Sequence, residues 1–316
     1  MTDQPHSVFD RATVRRHRDR AARDFARYEF LTAEVADRLA DRLDDVRRAF
    51  PLALDLGARD GVLARTLQGR GGIETLVESD LSGAMAAAAG ERDRRDGPIA
   101  GLHRPRVIAD EEVLPFADKA FDLVLSNVSL HWANDLPGAL LQINHALKPD
   151  GLFLATLFGG ATLYELRTCL MQAEEEVEGG AGPRVSPFAQ NQDGAELLQR
   201  AGFALPVTDV DSLTVTYPDA LKLMDDLRGM GESNAVHARR KAWTRRETLV
   251  HAAQLYEEQF GNGDGTIPAT FEVIYLTAWR PDASQPLPLR PGEARNSLAE
   301  ALGTEEVPTG IKARPK

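Results

Sequence analysis

From Pro51 onward, apolar runs of strand length alternate with stretches of helical spacing. The runs are LALDLG (52–57), ETLVESD (74–80), RVIAD (106–110), FDLVLSN (121–127) and GLFLATLF (151–158). Helical patterns lie between them at 62–68, 83–89 and 137–147. A strand that is apolar throughout has both faces covered, and the intervening helices supply the cover. Right-handed crossovers then wind the sheet in both directions from its centre. The pattern predicts an α/β chain with a Rossmann-like, doubly wound, mostly parallel sheet.

The flanks differ from this core. Residues 8–50 read as two polar helices, the second over 31–48 with Val35, Leu39, Leu43 and Val46 on one face. Beyond 159 the alternation loosens. A helix is expected over 161–180, with Leu163, Leu166 and Leu170 inward; its Glu165, Glu174 and Glu175 read as a solvated face or as carboxylates able to hold a guanidinium. A short helix (194–203), an edge strand (207–217), helices (218–230 and 245–260) and a last strand (268–279) follow. The organisation predicted is N-terminal helices (1–50), an α/β domain (51–280) and a tail (281–316). The domain divides into a cofactor core (51–158) and a helical lid with the C-terminal strands (159–280). Six prolines and few large apolar residues predict a mobile tail.

Composition excludes several classes. The net charge of −11 over 316 residues lacks the basic footprint of a nucleic-acid binder. No run approaches the roughly 18 apolar residues of a membrane helix. The N-terminus has no apolar signal core. Its arginine-rich stretch, 11–27, is interrupted by Asp19 and Asp24 and preceded by Asp10, so it reads as a solvated helix rather than a transit peptide. Cys169 is the only cysteine, which rules out an internal disulfide or a cysteine metal cage. A bacterial cytoplasm is the expected setting.

The loop ALDLGARDG (53–61) leaves the first strand at Asp55 and carries Gly57 and Gly61, with Arg59 where another glycine is expected. Glycine recurs in such loops because the backbone must approach a ligand closely. Arg59 would block that approach or strain a left-handed backbone by about 1–2 kcal/mol. Alternatively, its guanidinium fork could hold a ligand carboxylate. Asp80 ends the second strand, where an acid can accept both ribose hydroxyls; capping the next helix is its other reading, with Ser82 as a rival cap. Asp110 could accept from an adenine amine, and Asn127 ends the next strand facing the same crevice. His131 and Trp132 follow at its mouth, as an acid–base group and a cofactor cover or as loop packing. Tyr164 and Arg167 lie one helical turn apart, as a substrate entrance or as ordinary helix surface. GMGESN (229–234) reads as a lid turn or partner contact.

The succession LDLGxxxG, ESDLS, ADEEVLPF, FDLVLSNVSLHW and LKPDG resembles class I S-adenosylmethionine-dependent methyltransferases over about 50–158. FGGATLYELR (158–167), SPF (186–188), LRGMGESNA (227–235) and DGTIPATFEVIYLTAW (264–279) extend the resemblance, over 9–279, to the branch of arginine-hydroxylase assembly factors of respiratory complex I. The resemblance implies S-adenosylmethionine held by Asp55, Gly57, Arg59, Gly61, Asp80, Leu81, Asp110, Glu111 and Asn127. It also implies a protein substrate, an arginine on a complex I iron–sulfur subunit, with at most peripheral membrane association. The reaction it implies is hydroxylation. The residues themselves show no oxidant site: none of the seven histidines forms a His-x-Asp or His-x-Glu pair, and no metal is expected. His131, Trp132 and Tyr164 remain the candidates for chemistry. Two other readings stay open: methyl transfer to another acceptor, such as an acyl-carrier carboxyl group, and a non-catalytic assembly chaperone.

Overall fold

A computed structural model describes residues 7–188, 191–286 and 297–305. Its seven strands form one sheet in the order β3-β2-β1-β4-β5-β7-β6. They are β1 (Leu52–Leu56), β2 (Thr75–Asp80), β3 (Arg106–Ile108), β4 (Phe121–Ser126), β5 (Leu147–Phe158), β6 (Ala204–Tyr217) and β7 (Ile267–Trp279). Strand β1 pairs in parallel with both β2 and β4. The chain therefore runs outward through β2 and β3, then returns to the centre at β4. That reversal sets a crevice at the carboxyl ends of β1 and β4. Strand β7 enters antiparallel between β5 and β6, and β6 is the edge strand the sequence predicts. The antiparallel insertion is not foreseen, because an apolar pattern reports burial and not direction.

Alternate residues of each strand feed two cores, as the two-residue period requires. Ala53, Leu123, Leu125, Leu152 and Leu154 face one core; Leu54, Leu56, Val124, Phe153 and Ala155 face the other. Helices α2 (Phe30–Asp44) and α3 (Val62–Leu67) cover the first, and α5 (Leu136–Ala146) the second. On α2, Val35, Leu39 and Leu43 are fully buried and Val46 packs beyond its end. Truncating one of these leucines to alanine costs about 2–5 kcal/mol. Helix α4 (Gly83–Asp96) runs past the expected stop near 89. The apolar spacing ends there, but glutamate and arginine still favour helix.

The N-terminal helix α1 (Arg11–Ala21) corrects the expectation of a solvated element. Asp10 caps it, accepting from the Thr13 amide, and Val14 and Arg18 are buried. Phe9 packs edge-on against Trp132, with centroids 5.2 Å apart, and bridges to Val236. The Asp10 amide donates to the Ala235 carbonyl at 2.8 Å. These contacts hold α1 across the crevice.

The lid comprises α6 (Tyr164–Glu178), α7 (Asn191–Arg200), α8 (Ala220–Gly229) and α9 (Arg246–Phe260). Leu166 and Leu170 turn inward as expected. The glutamates of α6 are not all solvated: buried Glu165 accepts from Thr270 Oγ1 at 2.5 Å, and buried Glu174 accepts from Arg184 at 2.5 Å. In the tail, Leu298–Leu302 form a short helix. Most of the segment predicted to be mobile lies outside the described residues.

Candidate functional site: a crevice closed by its own arginines

Gly57, Arg59 and Gly61 all have left-handed backbones, with φ of 84°, 53° and 80°. The arginine thus occupies a conformation glycine would take freely, at a cost of about 1–2 kcal/mol. Gly57 cannot carry a side chain, since a Cβ there would collide with Ser129. The Arg59 amide donates to Asp80 Oδ2 at 2.9 Å, and the Ser82 amide to Asp80 Oδ1 at 2.7 Å. Ser82 caps α4, accepting from the Met85 amide at 3.1 Å, so Asp80 is not the cap. Asp55 is fully buried, and neither carboxyl oxygen has a partner among the described residues. Burial, and then the nearby Glu78, push its pKa well up.

The acids at the crevice are engaged by α1. Arg18 lies 2.8 Å from Glu111 Oε1 and 3.5 Å from Asp80 Oδ2, and donates to Ser129 Oγ at 2.7 Å. Arg11 donates to Asp110 Oδ1 at 2.5 Å, to Glu111, and to the Trp132 carbonyl at 3.2 Å. Burial opposes ionisation of Glu111. The guanidinium groups of Arg18 and Arg11 outweigh it and hold the carboxyl below the usual range.

Arg59 turns the other way, toward the lid. Its guanidinium donates to the Val128 carbonyl at 2.9 Å, the Met230 carbonyl at 3.1 Å and Glu232 Oε1 at 2.5 Å. Glu232 Oε2 accepts from Trp132 Nε1 at 2.9 Å and meets His131 Nε2 at 3.1 Å. Burial raises the Glu232 pKa, but Arg59 and then His131 pull it below the carboxylate range. Burial lowers the His131 pKa more than Glu232 restores it. The neutral ring then donates from Nε2, and Nδ1 has no partner among the described residues. His131 and Trp132 therefore tie the GMGESN turn to the sheet. The packing expected of them is with the loop that follows; the contact found is with a distant turn, through a buried carboxylate.

Other expectations are corrected. Asn127 does not present its amide to the crevice: Nδ2 donates to the Thr32 carbonyl at 2.9 Å and Oδ1 accepts from Thr156 at 3.0 Å. It joins β4 to α2 and β5. Leu81 packs beside Phe9, Val14 and Trp132. Tyr164 is exposed against Phe260 and does not line the cavity between lid and sheet, while Arg167 bonds the Gly160 and Thr162 carbonyls.

That cavity, of about 580 Å³, lies between lid and sheet. Phe158, Leu166, Met224 and Phe271 supply apolar wall, and Trp132 and Glu232 reach it from the crevice side. Between Ala58, Arg59, Asp80 and Ala89, by contrast, nothing the size of a water molecule is admitted. The chemistry of the acids suits S-adenosylmethionine, but as arranged Asp80, Asp110 and Glu111 are taken by Arg18 and Arg11, and the crevice does not fit it in that state. Among the described residues, no group of three or more His, Cys, Asp and Glu side chains is placed to hold a metal ion.

Arg11, Arg18, Ser129 and Glu232 escape the sequence reading. A signal for two of them exists: Arg11, Val14 and Arg18 fall at i, i+3 and i+7, one stripe shared with a buried valine. For Glu232 there is none, since its partner Arg59 lies 173 residues away.

A methyltransferase domain model matches residues 54–155. The arginine-hydroxylase NDUFAF5, mitochondrial, of Danio rerio is 45% identical over 94% of this chain and 90% of its own length. A malonyl-[acyl-carrier protein] O-methyltransferase of Halorhodospira halophila is 38% identical over 85% of this chain and 88% of its own. The solved Haemonchus contortus phosphoethanolamine N-methyltransferase 2, in complex with S-adenosylhomocysteine, shares the fold at a TM-score of 0.51 and 16% identity, covering 85% of this chain and 60% of its own. The sheet order, the glycine turn and the acid-ended strands are those of the class I methyltransferase fold, and the chain belongs to the family of the arginine-hydroxylase NDUFAF5.

Proposed function

We propose that the protein acts in assembly of respiratory complex I, hydroxylating an arginine of an iron–sulfur subunit. The observation that carries this reading is the reach of the likeness. It covers 94% of the chain, so it takes in the lid as well as the central α/β core. Lid and sheet together form the 580 Å³ cavity. Its apolar wall suits the methylene stem of one long side chain. Asp225 on the lining has no hydrogen bond or ion pair among the described residues and is available to a guanidinium.

We tie S-adenosylmethionine binding to the position of α1. With Arg11 and Arg18 seated on Asp110, Glu111 and Asp80, the acids that would hold it are already paired. The setting we propose is the cytoplasmic face of a bacterial respiratory membrane. No helix among the described residues is long and apolar enough to cross a membrane.

Peptide mass spectrometry of the iron–sulfur subunits, from cells with and without this protein, tests the reading. One oxygen atom added to a single arginine, and lost in the deletion strain, is the expected result. One methyl group instead would make it a methyltransferase. An unmodified arginine with failed assembly would make it a chaperone. Methylation of malonyl-acyl-carrier protein by the purified protein would favour the O-methyltransferase relatives.

A further inference from the structure

Between the GMGESN turn and α9 runs ARRKAWTRRE (238–247), a cationic stretch in a chain of net charge −11. Two of its cations are internal to the fold. Arg239 donates to Thr13 at 2.9 Å and pairs with Asp10, and Arg240 pairs with Glu178. Lys241, Arg245 and Arg246 are exposed and have no ion pair or side-chain hydrogen bond among the described residues; the local acid is Glu247. In their midst Trp243 is 97% exposed, whereas the other two tryptophans are at least partly buried. A fully solvated indole among free cations leaves a large apolar surface uncovered, and tryptophan and arginine are the residues that dominate protein-binding sites.

The stretch borders the cavity. Thr244 and Leu249 line it, and Thr244 Oγ1 accepts from Arg184 at 2.8 Å, which fixes the loop to the lid. Exposed Arg228 is a further cation on the lining. Resting on the reading that the cavity receives a side chain of a protein substrate, we propose that Trp243, Lys241, Arg245, Arg246 and Arg228 form a docking rim for an acidic protein segment flanking that side chain. An anionic lipid surface would also attract the loop, but the chain's net negative charge opposes approach to one. The position of the cations beside a cavity roomy enough to admit a long side chain favours a peptide.

The test needs neither cofactor nor catalysis. A short fluorescein-labelled peptide, glutamate and aspartate around one central arginine, is titrated against the full chain at low salt, beside a glutamine and asparagine counterpart. Fluorescence anisotropy is expected to show binding of the acidic peptide alone. Affinity should fall at least about tenfold in Trp243→Ala and in the triple variant Lys241→Glu, Arg245→Glu, Arg246→Glu. Unchanged circular dichroism would confirm that both variants fold, as surface positions should. Absent binding, equal binding of the neutral peptide or equal binding by the variants would overturn the proposal. So would a blue shift of Trp243 emission on phosphatidylglycerol vesicles with none on the peptide. A missing arginine modification in cells would sink the proposed reaction and leave this result untouched.

Discussion

Arg59 shows how one residue can break a local rule and be kept by a distant contact. Its left-handed backbone costs about 1–2 kcal/mol. Its guanidinium neutralises Glu232, whose side chain is 9% exposed. Arg59→Gly would relieve the strain and strand that carboxylate beside a neutral His131. Leaving a buried charge without its partner costs about 3–5 kcal/mol, so the variant should lose a few kcal/mol of stability. Adding Glu232→Gln should restore most of the loss, because the glutamine carries no charge to strand. Urea unfolding of the two single variants and the double variant reads the coupling. A more stable Arg59→Gly would mean that the pair contributes less than the strain. The anomaly at 59 was legible in the sequence. Its explanation was not, since a glycine-loop pattern carries no information about a carboxylate in the lid.

Helix α1 raises the same problem for a whole element. The strands were readable because continuous apolar runs admit few alternatives, and α2 was readable from its spaced leucines. An arginine-rich helix is ordinarily solvated, and the acids that draw Arg18 inward lie 62 and 93 residues away. The helix also contains its own weak point. His17 donates from Nδ1 to the Ser233 carbonyl at 3.0 Å. Burial, then the charge of Arg20, lowers its pKa from 6.5 to about 4, with Arg239 and Arg16 adding to the effect. Since the unfolded histidine takes a proton first, the stability it confers is full above pH 6.5 and declines as pH falls toward 4. Glu111 and Glu232, held below the usual carboxylate range, give up their contribution only as pH falls through 4.5 and lower, beneath the range from pH 7 to 5. Between pH 7 and 5 the wild type should therefore lose more stability than His17→Gln, whose remaining loss reports His131, the other histidine that burial keeps neutral. Parallel slopes in urea unfolding across that range would show that α1 does not depend on a neutral His17.

For the molecule as a whole, these pieces amount to a lock on the crevice. The fold supplies a glycine turn and acids at strand ends; α1 supplies cations that satisfy the acids, and Arg59 with Glu232 ties the turn to the lid. A ligand of this crevice must compete with Arg18 and Arg11, and its apparent affinity is reduced by the fraction of molecules in which they are displaced. Calorimetric titration with S-adenosylmethionine tests this. The wild type should bind at least about tenfold more weakly than Arg18→Ala, which removes the cation shared by Glu111 and Asp80 and makes room beside Ser129. Asp80→Ala should abolish binding in either background. Equal, tight binding by wild type and Arg18→Ala would show that α1 does not gate the crevice. Failure of Arg18→Ala to bind at all would show that the arginine-filled crevice is now part of the core, leaving the lid cavity and its cationic rim as the site through which the protein works.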